Sequence, residues 1–134
     1  IRKSLVGSEM CIRDRLSDAQ AIEFINYANE LKLDCIIEVH DEDELKRAIK
    51  LDYPVIGINN RNLKSLEINL NNSINLNKNL TNDYILIAES GIKTSDDIKK
   101  FNSTGIYNFL IGESLLKSKD KEKKIGELLL NESY

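Results

Sequence analysis

Hydrophobic positions along the chain switch repeatedly between two spacings. Ala21, Ile22, Phe24, Ile25, Ala28 and Leu31 recur every three or four residues, which predicts an amphipathic helix, and Ser17 followed by Gln20 supplies its capping box. A short β-branched run, "CIIEV" at 35–39, predicts a strand. Asp41 with Glu44 then opens a helix carrying Leu45, Ala48, Ile49 and Leu51. "VIGI" at 55–58 follows Pro54 as a second strand, and an Asn-rich stretch over 69–82 holds one weaker helix built on Ile74, Leu76 and Leu80. "YILIAESG" at 84–91 is a third strand. Thr94 with Asp97 caps a helix bearing Ile98 and Phe101 that ends near Gly105, and "IYNFLIG" at 106–112 is a fourth strand. A last helix follows, with Ile125 and Leu128 to Leu130 on its apolar side.

Strands alternating with helices predict βα units and a parallel α/β sheet. Right-handed crossovers put helices on one side in a barrel segment and on both sides in an open doubly wound sheet. Neither a Gly-x-Gly-x-x-Gly run nor a Walker lysine loop is present, which favours the barrel.

Residues 1–15 fit neither spacing. "SEMCIRDR" at 8–15 resembles a translated sequencing adapter, so 1–15 is set aside as irregular chain and 16–134 is taken as the domain, with the native protein expected to continue upstream of Leu16.

At 134 residues with 41% hydrophobic and 31% charged residues, the chain is long enough for one globular domain with a core. Its net charge of −3 argues against a nucleic-acid partner, which needs a basic stripe. "KSKDKEKK" at 117–124 mixes both signs, as solvated helix faces do. No apolar run reaches the roughly 20 residues that span a bilayer, so a cytoplasmic protein without a membrane partner is expected. Two cysteines, Cys11 and Cys35, make no disulfide framework and are expected as reduced thiols, Cys35 as a small core residue. Phe24, Tyr27 and Phe101 are expected to face the core.

Polar or Gly-rich residues follow the C-terminal end of every predicted strand: Glu38 and His40; Asn59 and Arg61; Glu89, Ser90 and Gly91; Gly112, Glu113 and Ser114. That rim carries the active site in a βα barrel. Glu38 and Glu89 with Asn59 and Arg61 between them are suited to general acid/base work, because neighbouring carboxylates and a guanidinium shift one another's proton affinity. Asn59 and Arg61 share one side if the strand conformation persists past Ile58. Gly91 and Gly112, on consecutive strands, suggest a phosphate cradle, a feature that barrels build after their last two strands. Glu38 and His40 have no third partner at fitting spacing, so no metal site is expected.

These motifs, "IIEVHDEDEL" at 36–45, "VIGINNRNLKSLEI" at 55–68, "IAESGIKTSDDI" at 87–98 and "FLIGESLL" at 109–116, resemble the indole-3-glycerol phosphate synthase family in order and spacing. The resemblance implies the C-terminal half, strands five to eight, of a (β/α)8 TIM barrel, preceded by the fourth helix. It implies a carboxy-lyase that closes the indole ring of 1-(2-carboxyphenylamino)-1-deoxyribulose 5-phosphate in tryptophan biosynthesis, with no metal or organic cofactor. Carried over, Glu38 is the catalytic acid/base, Asn59 orients substrate, Arg61 binds carboxylate groups, and Glu89 supports catalysis. Ser90, Gly91, Gly112 and Glu113 form the phosphate cradle, Glu113 through its backbone N–H. The family's catalytic lysines lie on the first and third strands, and Lys32 and Lys64 stand in the wrong segments to replace them. The resemblance therefore implies a fragment inactive alone, needing the missing N-terminal half-barrel. The alternatives are a non-catalytic phosphate-binding or self-associating half-barrel and another phosphosugar barrel enzyme.

Overall fold

The computed structural model describes residues 7–11, 16–81 and 83–129. Its elements alternate as expected: β1 (Gly7–Cys11), α1 (Asp18–Glu30), β2 (Asp34–Val39), α2 (Glu42–Lys50), β3 (Val55–Asn59), α3 (Asn71–Asn77), β4 (Ile85–Glu89), α4 (Ser95–Asn102), β5 (Asn108–Leu110), α5 (Glu113–Lys117) and α6 (Lys121–Leu129). The strands form one sheet in the order β1-β2-β3-β4-β5, every pair parallel. Each crossover therefore steps to the next strand in the same direction, which for right-handed connections gathers the helices on one face. A parallel sheet wound this way is of the TIM-barrel type, not the doubly wound type, whose strand order reverses.

The two sheet faces differ in burial as that winding requires. Cys35, Ile37 and Val39 of β2, Ile56 and Ile58 of β3, and Leu86 and Ala88 of β4 join Ala21, Ile25, Leu45, Ala48 and Phe101 of the helices in one buried core. The opposite face carries Ile36, Glu38, Gly57, Asn59, Ile87 and Glu89, with Ile85 51% and Leu110 44% exposed at its far end and edge. Cys35 is buried, and burial, with Asp34 adding to it, pushes its thiol above the ordinary value, which makes it a packing residue.

The caps hold the helices where the pattern places them. Ser17 and Thr94 form capping boxes with Gln20 and Asp97, and Asp41 accepts from the Glu44 N–H at 2.8 Å. The weak Asn-rich helix is real but short, and α5 is an element the pattern did not separate from the last helix.

Two expectations are corrected. Residues 7–11 are not irregular: they form an edge strand paired with β2 from Gly7↔Asp34 to Cys11↔Glu38, so the sheet has five strands, while the rest of the segment set aside lies outside the described residues. Phe24 and Tyr27 do not face the core; they are 49% and 54% exposed, whereas Phe101 is buried. The reason is geometric. Ala21, Ile25 and Ala28 form the stripe that meets the sheet, and Phe24, Tyr27 and Leu31 form a second stripe one residue out of phase, rotated onto the flank of α1. Leu130 of the last predicted helix lies outside the described residues.

Candidate active site

Parallel register sets the site's first layer. Glu38 stands opposite Gly57, Gly57 opposite Ile87, and Asn59 opposite Glu89, so an acid, an amide and a second acid share one sheet face at the C-terminal ends of three adjacent strands. Glu38 and Glu89 are 4% and 2% exposed. Asn59 Nδ2 donates to Glu38 Oε1 at 3.3 Å. Glu89 folds across Gly57: a Cβ on that glycine would lie 2.0 Å from Glu89 Oε1. A glycine inside a strand is itself a sign of such close approach, and it marks this crossing in the sequence.

Beyond Asn59 the strand conformation does not persist. The Asn59 side chain turns back and its Oδ1 accepts from the Arg61 N–H at 2.9 Å, while Arg61 forms an antiparallel bridge with Ile68. Asn59 and Arg61 therefore diverge. The amide reaches Glu38 on β2, and the guanidinium pairs with the Glu113 carboxylate at the start of α5. Glu113 also accepts from Lys117 Nζ at 2.5 Å, and Lys117, then Arg61, hold its carboxyl below the ordinary value.

Asn60, which the sequence reading passed over, ties the rim together. It is 2% exposed, its Nδ2 donates to Glu89 O at 2.9 Å and Ser90 O at 3.3 Å, and its Oδ1 accepts from Ser73 N at 3.1 Å and Ser73 Oγ at 2.9 Å. Asn72 does the same between β2 and β3, donating to His40 O at 3.0 Å and Asn59 O at 3.1 Å. The signal was alternation: Asn60 falls on the helix-facing side, where a polar group must find partners. Its partners lie 13 to 30 residues away, so local pattern could not name them.

His40 closes the first layer. Its Nε2 lies 3.0 Å from Glu38 Oε1 and its Nδ1 3.1 Å from Glu44 Oε2. Burial works against the charged ring, but the two carboxylates outweigh it and raise the imidazole above its ordinary value.

Cavities lined by described residues open on this rim. One, of about 360 Å³, is polar and lined by His40, Asn59, Arg61 and Asn72 among others. The second, of about 670 Å³, brings together Arg61, Ser90, Gly91, Gly112 and Glu113, and its wall carries four cations, Arg61, Lys93, Lys117 and Lys124, against two carboxylates, Glu113 and Glu127. Arg61 lines both. Ser90 and Gly91 both adopt positive φ, 65° and 81°. Gly91 is required by the fold on a second count, because a Cβ there would lie 2.3 Å from Ile68 Cγ2 of the loop after β3. Gly112 has open space where its Cβ would be. Among the described residues no group of three or more metal-type side chains gathers around a common point.

The model of the indole-3-glycerol phosphate synthase family matches residues 5–128. The chain belongs to that family. Its match begins within the segment that the sequence pattern set aside. Curated members resemble it closely: the indole-3-glycerol phosphate synthase of Legionella pneumophila strain Paris is 44% identical over 96% of this chain and 51% of its own length. That of Acinetobacter baumannii (strain AYE) is 48% identical over 76% and 38%. That of Delftia acidovorans is 40% identical over 84% and 42%. The chain thus spans about half or less of the family members it matches. The fold recurs further afield, in thiamine phosphate pyrophosphorylase from Pyrococcus furiosus, with a TM-score of 0.68 and 17% identity over 92% of this chain and 57% of that one. Mandelate oxidase gives a TM-score of 0.61 with 12% identity over 86% and 35%.

Proposed function

We propose that this chain is the C-terminal portion of an indole-3-glycerol phosphate synthase barrel and that it contributes one side of the active site. The substrate is then 1-(2-carboxyphenylamino)-1-deoxyribulose 5-phosphate, and the reaction closes the indole ring with loss of carbon dioxide and water. The observation that carries the reading is the position of Arg61. It lines both the polar cavity beside Asn59 and His40 and the cation-rich cavity beside Gly91 and Gly112, so one substrate with a phosphate and a carboxylate can lie across it.

In this reading Glu38 transfers the proton, Asn59 orients the substrate while its Nδ2 holds Glu38, and Glu89 supports the site from across Gly57. The backbone at Ser90, Gly91, Gly112 and Glu113 receives phosphate, and Lys93, Lys117 and Lys124 add favourable field. The Glu113 carboxylate is held by Lys117 and Arg61, away from a role as an anion ligand that repulsion would forbid. In this reading the acid that protonates the departing oxygen comes from the family's N-terminal strands.

The test is ring closure by the purified chain, alone and mixed with the part of the Legionella enzyme that it does not match. Turnover only in the mixture, reduced about 10²–10⁴-fold by Glu38→Gln, supports the reading. Turnover by the chain alone would overturn the division of the site. A second reading, a self-associating half-barrel without catalysis, is favoured by exposed Ile85 and Leu110 on the open sheet face; it predicts a stable homo-oligomer and no activity in either assay.

A further inference from the structure

The imidazole of His40 lies between two carboxylates, with Nε2 3.0 Å from Glu38 Oε1 and Nδ1 3.1 Å from Glu44 Oε2. A neutral imidazole has one N–H and one lone pair, so it can donate to only one of them and must aim its lone pair at the other. Doubly protonated, the ring donates from Nδ1 to Glu44 and sets its charge against Glu38 as an ion pair at 3.0 Å, although Nε2 is not in line for a hydrogen bond. The surroundings fix that arrangement. Glu44 Oε2 also accepts the His40 backbone N–H at 2.7 Å, and Asn72 Nδ2 donates to the His40 carbonyl at 3.0 Å, so ring and backbone are held from α2 and α3. The side chains of His40, Glu38 and Glu44 are 10%, 5% and 14% exposed.

We propose that His40 is a positioning residue that acts through Glu38: as an imidazolium anchored by Glu44, it pins Glu38 Oε1 jointly with Asn59 and keeps Glu38 a carboxylate between turnovers. The inference rests on the reading of Glu38 as the proton-transfer group. Among the described residues, the charged groups facing the ring are Glu38 from β2 and Glu44 from α2. Asp41, Arg61, Lys64 and Glu67 line the adjoining cavity, two acids and two bases whose fields largely offset. Glu44 is thus the remote end of a Glu44–His40–Glu38 chain. It bonds the His40 ring, and through that ring it governs the proton held next to the site.

His40 is the only histidine of the chain, so an NMR titration of the imidazole needs no assignment. The unsubstituted chain should titrate above about 6.5, with both ring nitrogens protonated below the midpoint. Glu44→Gln, which keeps the side-chain shape, should lower the midpoint toward the ordinary value, and Glu38→Gln should do the same. His40→Gln should raise the pH at which the Glu38 carboxyl carbon titrates, by the reciprocal coupling. A midpoint at or below the ordinary value in the unsubstituted chain, or one that neither carboxamide variant moves, overturns the proposal, and leaves the family reading standing on its own assay. A raised, Glu44-dependent midpoint together with full activity of Glu38→Gln in the mixed-halves assay also overturns it, by removing the group through which His40 acts.

Discussion

A methyl group on Gly57 would lie 2.0 Å from Glu89 Oε1 and 2.8 Å from Ile36 Cγ2, so Gly57→Ala must displace a buried carboxylate and an aliphatic side chain together. Overpacking of this kind costs about 1–3 kcal/mol, read as a lower urea midpoint at unchanged slope, and activity of the mixed halves should fall with it because Glu89 leaves its place. The two adjacent amides separate stability from chemistry. Asn60→Ala strands the buried Ser73 N–H and removes the tie to Glu89 and Ser90, a loss of about 1–3 kcal/mol. Asn59→Ala removes a long contact to Glu38 on the open face and should cost less stability but more turnover. His40 adds a pH dependence whose sign follows from its raised proton affinity. The folded chain binds that proton more tightly than the unfolded chain, so the contribution is complete below about pH 6.5 and is lost as pH rises through the folded midpoint. Denaturant midpoints measured across that interval should fall, and His40→Gln should flatten the curve.

At the scale of elements, what could be read from sequence was what neighbours in sequence decide. The caps at Ser17, Asp41 and Thr94 depend on residues three positions away, and all three close as expected. Thr94→Ala should therefore cost about 1 kcal/mol in the urea midpoint. The Asp97 carboxyl in the same box is opposed by partial burial but accepts the N–H groups of Lys93 and Thr94, which hold it below its ordinary value. Its small contribution is present above about pH 4 and disappears as pH falls through the folded value. What was not legible depends on residues distant in sequence. Strand pairing of residues 7–11 needs β2 as a template, since "GSEMC" has no strand alternation of its own. The exposure of Phe24 and Tyr27 depends on which stripe of α1 the sheet selects. The divergence of Asn59 and Arg61 depends on an amide folding back on its own backbone and on Glu113, 52 residues further on, offering an ion pair. The positions of the rim residues were legible because strand ends recur and polar or Gly-rich residues stand at or just past them.

Across the whole molecule, the sheet has outer edges at β1 and β5 with which no other described strand pairs, and a second face opposite the core. Ile85 and Leu110 lie on that face, half exposed, Leu110 opposite Glu89 at the C-terminal rim and Ile85 at the other end of β4. Edge strands with free backbone groups pair readily with whatever strand is offered, and apolar surface beside them adds to the tendency. Two occupants compete for the surface, a second copy of the chain or the N-terminal half of a related barrel, and they make opposite predictions for concentration dependence. A homo-oligomer melts at a temperature that rises with chain concentration in the absence of any partner. A complementing half raises the melting temperature at fixed chain concentration, by the free energy RT ln(1 + [L]/Kd), about 2.7 kcal/mol when the half is present at 100 times its Kd. Leu110→Lys, on the edge strand and facing the open side, places a charge where either occupant would bury it, and should abolish both effects while leaving the isolated chain's far-UV spectrum intact. If the added half raises the melting temperature of the parent chain but not of the variant, and ring closure appears only in the former mixture, then the surface that makes the isolated chain prone to pairing is the same surface that completes the active site.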